Sequence, residues 1–252
     1  MKNSYEILKN DKEINYILDN ANYNMNHSIN FVKGTSGINY CVACHGRHHT
    51  LFVAGVIEYI LSALHYDAHT IELGKIAGLL HDIGNFYSRH DHAKISAYMC
   101  LHFVSKTNLN SNDLKIIEQA VLDHSTGTEI ISAVGAALMI ADKMTDIKRG
   151  IPVKADLKKG GFDNEAELNK YDSPNDVTHV YNIKDVEINI KNNDIIFNYF
   201  VEGDTKLFIN EYLLVRLTRT PFILTRKAVG FLECNCIYKV NGDEIKERES
   251  DI

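Results

Sequence analysis

Five apolar helical stripes in this chain run into histidine or aspartate, where a buried face should carry no polar group. His49 leads Val53, Val56, Ile60 and Leu64, and His92 leads Ile95 and Met99. His81 and Asp82 close the run Gly78-Leu79-Leu80. His124 follows Leu114, Ile117 and Val121, and Asp142 extends the row Ile130, Val134, Leu138 by one more turn. Residues three or four apart share a helix face, so these six side chains point into the interior that the stripes line. Burying them unpaired would cost roughly several kcal/mol apiece. A shared metal centre accounts for all six at once.

The periodicity predicts helices over 4–20, 50–65, 70–82, 91–105, 112–124 and 128–148. Gly84 and the stretch Asn108 to Asn112 act as stops between them. From Gly150 to about Val180 the pattern gives way to a charged run rich in Gly, Asn and Asp, expected to be a solvated linker or a lid. Strand alternation follows: Val186, Ile188, Ile190, then Asn192-Asn193, then Ile195, Phe197, Tyr199 and Val201, which predicts a hairpin. Helices near 205–217 and 221–229 and a further strand around Asn241-Gly242 complete the chain. The expected fold class is mainly α, a helical domain over 1–150, a linker or lid over 151–180 and a small C-terminal α+β appendage over 181–252.

Charge narrows the partners. A formal net charge of −6 advertises no broad basic face for nucleic acid or an anionic membrane. Any grip on an anion must be local, and Arg47, Arg89, Lys94, Lys143 and Arg149 stand close in sequence to the six candidates. The opening segment is mixed polar and amphipathic, and no apolar run reaches the length of a membrane span, so the cytoplasm is the expected compartment. A homo-oligomer is compatible with the sequence. With 252 residues the chain can bury one sizeable core and a small second module.

His and Asp together supply nitrogen and oxygen donors, a mixture that suits iron, manganese, cobalt or zinc better than calcium or magnesium. An aspartate can also bridge two ions, because it has two oxygens. The order His49, His81-Asp82, Asp142 on successive helices resembles the HD-domain superfamily of metal-dependent phosphohydrolases over residues 45–150. The resemblance rests on HHTLFVAGV, GLLHDIG and MIADKMTD, with HAKISAYM and LDHSTG adding His92 and His124. Family members with these two further histidines generally carry two metals, and the chain is similar to the di-iron hydrolases of diadenosine tetraphosphate and, in ligand order, to HD-GYP phosphodiesterases. It departs from them in having Asn85 where HDIGK strings carry lysine, and it has no GYP string.

The resemblance implies an HD-domain helical bundle with His49, His81, Asp82 and Asp142 on one metal and Asp82, His92 and His124 on a second. Both would be divalent or mixed-valent transition ions, with iron or manganese expected and Asp82 the catalytic bridge. The implied reaction is hydrolysis of a phosphoester or phosphoanhydride of a nucleotide-like small molecule by hydroxide drawn from water at the metal pair. The alternatives are a di-iron oxygenase of the same fold and a ligand-sensing module without turnover.

Several residues compete with this set. His48 and His90 sit beside His49 and His92 but out of phase with the apolar rows, and His102 reads as a hydrogen-bonded core histidine. Cys41-Val-Ala-Cys44-His45 has haem-attachment spacing, which would require export. Cys41 and Cys44 with Cys234 and Cys236 could form a four-thiolate zinc site; two unrelated reduced pairs is the plainer reading.

Overall fold

The computed structural model describes residues 3–21, 45–125, 129–144, 183–213 and 220–245. The chain is mainly helical, with a small C-terminal sheet. The stretch expected as one helix over 4–20 is two: α1 (Ser4–Lys9) and α2 (12–21). The break is local chemistry. Asp11 Oδ1 accepts the backbone N–H groups of Glu13 (2.9 Å) and Ile14 (3.1 Å), so it starts a new helix rather than continuing the old one. Tyr5, Leu8, Ile14, Ile17 and Leu18 still bury together in the core.

The bundle continues with α3 (Arg47–Ala63), α4 (Ala68–Leu80), a 3-10 turn at Ile83–Phe86, α5 (His92–Val104), α6 (Ser111–Asp123) and α7 (Ala133–Met144). Helix α4 is central, packing on α1, α3, α6 and α7. Its approach to α3 needs a missing side chain: a Cβ at Gly78 would stand 2.9 Å from Ala54 Cα. At the start of α6, Asn110 and Asp113 form a reciprocal capping box. No described helix is long and apolar enough to cross a membrane.

The C-terminal part holds β1 (Ile183–Lys191), β2 (Asp194–Val201), α8 (Thr220–Phe231), β3 (Asn235–Val240) and the short β4 (Asp243–Glu244), with sheet order β1-β2-β3-β4. The predicted hairpin pairs Ile188 with Phe197 and turns at Asn192, whose φ is 56°. The second turn uses Asn241 (φ 52°) and Gly242 (φ 91°), the left-handed pair that a tight hairpin requires. Strand β3 runs parallel to β2, so α8 is the crossover between them. Where a helix was expected over 205–217, a single α turn (Thr205–Leu207) passes into a π-helical stretch, Phe208–Leu213.

This sheet is not remote from the bundle. Helix α8 packs along α7, and the Ile190 amide donates to the Tyr59 hydroxyl of α3 at 3.2 Å. Buried residues of both parts, from Leu8 and Ile57 to Phe197 and Tyr238, form one continuous apolar cluster. The expected linker or lid over 151–180 lies outside the described residues, as do Cys41, Cys44 and Arg149.

Candidate metal centre

The six singled-out side chains meet in one buried place. His49 comes from the first turn of α3, and His92 is the first residue of α5. His81 and His124 are the C-caps of α4 and α6, and Asp142 sits near the end of α7. Asp82 follows His81 directly, ahead of the 3-10 turn. The six range from fully buried to 8% exposed. Two helix C-termini therefore converge on the cluster, and the negative ends of their dipoles favour a cation there.

The donor atoms form two groups sharing one carboxylate. In the first, His49 Nε2 lies 3.2 Å from His81 Nε2, 3.5 Å from Asp82 Oδ2 and 3.3 Å from Asp142 Oδ1. His81 Nε2 is 3.2 Å from Asp82 Oδ2 and 3.5 Å from Asp142 Oδ1. In the second, Asp82 Oδ1 is 3.5 Å from His92 Nε2 and 3.7 Å from His124 Nε2, and the two ring nitrogens are 3.3 Å apart. Each oxygen of Asp82 thus faces a different group. A third combination, His81, His124 and Asp142, also brings its donor atoms within 4.8 Å of one another, so the clusters are continuous.

Three rings are oriented by the main chain. Nδ1–H of His81 donates to the Gly78 carbonyl (2.8 Å), that of His92 to Arg89 (2.9 Å) and that of His124 to Val121 (2.6 Å). With Nδ1 holding the proton, a neutral ring presents a bare Nε2 lone pair to the cluster. For His92 and His124 lone pair then faces lone pair across 3.3 Å, and Asp82 Oδ2 is buried without a hydrogen-bond partner among the described residues. A cation placed among these donors would satisfy them, and the donor set fits transition ions.

Electrostatics separates the two groups. Burial alone would discharge His81, but the adjoining Asp82 and Asp142 carboxylates outweigh it and hold its pKa up at about 9. Burial would also raise Asp82, yet the positive field of His81 and His45 keeps it well below the ordinary carboxylate range. His92 goes the other way. Burial, reinforced by His124 and Arg89 against the pull of Asp82, pushes its pKa down to about 4. His124 is lowered as well, mainly by burial. The carboxylates thus favour a charged His81 in the first group, while burial favours neutral His92 and His124 in the second.

The competing histidines are placed elsewhere. His48 and His90 are exposed, and His102 lies at the surface against Glu13 Oε2 (2.9 Å) rather than in the core. Among the cations, Arg89 Nη1 reaches to 3.5 Å from His92 Nε2. Lys143 Nζ donates to Asp142 Oδ2 at 2.7 Å, so it braces a candidate ligand. Lys94 pairs with Asp91 at the surface, and Arg47 is half-buried at the start of α3. Cys100 is buried, and Cys234 and Cys236, neither in a disulfide, stand at the start of β3.

Two residues near the cluster carry no periodic signal. His45 is buried with its ring 5.7 Å from that of His49. Asn85 is also buried; its Nδ2 donates to the Asp82 carbonyl and its Oδ1 accepts from Arg89. The one available hint for Asn85 is its fixed distance from the His-Asp pair. A separate cavity of about 550 Å³ lies between α3 and β1, lined by Phe52, Val56, Tyr59, Met144 and Ile188 among others, with none of the six candidates in its wall.

Residues 46–146 match the family model described as HD domain, and all six side chains fall within that span. The match supports the HD superfamily for this segment, a family generally of metal-dependent phosphohydrolases, and the His/Asp cluster is of a kind able to hold metal. No curated protein and no solved structure matches the chain at a significant level.

Proposed function

We propose that the protein is a binuclear metal-dependent phosphohydrolase, cleaving a phosphoester or phosphoanhydride of a nucleotide-like small molecule. The observation that carries this reading is Asp82, whose two oxygens face two separate donor groups. One ion would be held by His49, His81, Asp82 and Asp142, the other by Asp82, His92 and His124; the donors suit a transition ion, and the resemblance to di-iron HD hydrolases points to iron or manganese. A pair of such ions acidifies water and neutralises phosphoryl oxygens. The chain supplies the rest. Its carboxylates near the cluster, Asp82 and Asp142, are too few to cancel two divalent ions, and Arg89 and Lys143 add further positive charge. A centre with that excess selects an anionic substrate, which speaks for a phosphate over a neutral molecule to be oxidised. Nucleic acid and membranes are not the expected partners.

The test is elemental analysis of protein purified without air, followed by a phosphate-release screen across mono-, di- and cyclic nucleotides and dinucleoside polyphosphates. The Asp82→Ala variant is expected to keep its helical circular dichroism and lose turnover. Full activity in that variant, or oxygen consumption without phosphate release in the parent, would overturn the reading.

A further inference from the structure

Asn85 joins the bridge residue to a cation. Its Nδ2 donates to the main-chain carbonyl of Asp82 at 3.1 Å, while its Oδ1 accepts Arg89 Nη1 at 3.2 Å. The orientation of the amide is unambiguous, because a carbonyl only accepts and a guanidinium only donates. Asn85 is 1% exposed, so its geometry is held by packing on all sides. Arg89 in turn has two separate functions. Its backbone carbonyl receives His92 Nδ1–H at 2.9 Å, and its side chain brings Nη1 to 3.5 Å from Nε2 of the same ring.

That last distance is the informative one. The His92 Nε2 lone pair faces the second donor group, so an ion held there would take the lone pair and would leave Nη1 no acceptor on the ring. A guanidinium and a metal ion held this close repel unless an anion lies between them. Arg89 keeps unused donors in a planar fork, the geometry that matches two phosphoryl oxygens. Arg47, by contrast, makes no side-chain hydrogen bond or ion pair with a described residue, Lys143 is committed to Asp142, and Lys94 to Asp91.

We infer that the Arg89 guanidinium, held in place by Asn85, is the anion-binding group beside the second donor group and receives a phosphoryl oxygen of the substrate. Asn85 is then a positioning residue: it fixes the span between the bridging carboxylate and the cation that meets the phosphate. This rests on the phosphohydrolase reading, which supplies the anion.

The experiment uses the full metal-loaded chain with inorganic phosphate and pyrophosphate as probes, binding followed by calorimetry and metal content by elemental analysis. Arg89→Ala keeps the backbone carbonyl that orients His92, so both metal equivalents should remain while phosphate affinity falls about tenfold or more, the scale of one charge-assisted hydrogen bond. Arg89→Lys keeps the charge without the fork and should fall between. Asn85→Ser, which leaves a donor for the Asp82 carbonyl but no reach to Arg89, should weaken phosphate binding in the parent and add nothing in the Arg89→Ala background. The inference is overturned if Arg89→Ala binds phosphate as tightly as the parent, if it loses a metal equivalent, or if the two substitutions weaken binding independently. A parent protein that holds two metals and binds neither probe would overturn the hydrolase reading itself.

Discussion

Asp82 and His92 predict different losses when removed. Because the Asp82 oxygens are divided between the two donor groups, Asp82→Asn should lower the metal content at both positions, whereas His92→Ala should leave one equivalent in the first. Elemental analysis of the two variants separates these outcomes, and equal losses would contradict the division. The histidines also set a pH optimum for the metal-free protein. His81 has a pKa raised from 6.5 to about 9, so its contribution to stability is complete below 6.5 and is lost as pH rises through about 9. His92 has a pKa lowered from 6.5 to about 4, so stability is lost as pH falls from 6.5 towards 4. Metal-free protein should therefore be most stable near pH 6.5, where the two windows meet, measurable as a maximum in urea midpoint against pH. Metal loading should release a proton from His81 near neutral pH, visible as a dependence of the calorimetric heat on the buffer's ionisation enthalpy.

At the scale of elements, close approach does what a side chain would prevent. Gly84 N–H donates to Ser96 Oγ at 2.8 Å, and a Cβ on Gly84 would collide with the backbone carbonyl of His92. Gly84→Ala should cost about 2 kcal/mol or more in denaturant unfolding and shift α5, and with it His92, away from Asp82. Asn110→Ala removes one half of the capping box of α6 and should cost about 1 kcal/mol without changing metal content.

Helices and the buried His/Asp cluster were legible in the sequence for one reason: a polar residue in phase with an apolar row signals its own burial. That phase separates buried His49 from exposed His48, and His92 from His90. The same logic fails where no row exists. Asn85 sits in a 3-10 turn, where neither period applies, and its partners come from Asp82 and Arg89, a relation that only folding creates. The break at Asp11 was hidden because the apolar spacing of Tyr5, Leu8, Ile14 and Ile17 continues across it, although the capping chemistry was present in the residue itself. The parallel pairing of β2 with β3 is likewise beyond periodicity, since a strand's alternation does not name its neighbour.

On the scale of the whole molecule, the bundle and the sheet share one apolar cluster, with α8 along α7 and Tyr59 of α3 meeting the β1 edge. Unfolding by urea should therefore show one transition by both helical circular dichroism and a probe placed in the sheet, and two separated transitions would mean that the parts fold independently. Tyr59→Phe, which frees the Ile190 amide, should lower stability by about 1 kcal/mol and leave metal content unchanged. The position of α7 has a wider consequence. It carries Asp142 and is also the seat of α8, so a change in the C-terminal unit that tilts this helix moves a carboxylate at the cluster. The appendage is thus not an interchangeable module: replacing it by another domain would require the donor set to be retuned, and the two parts of the chain must vary together.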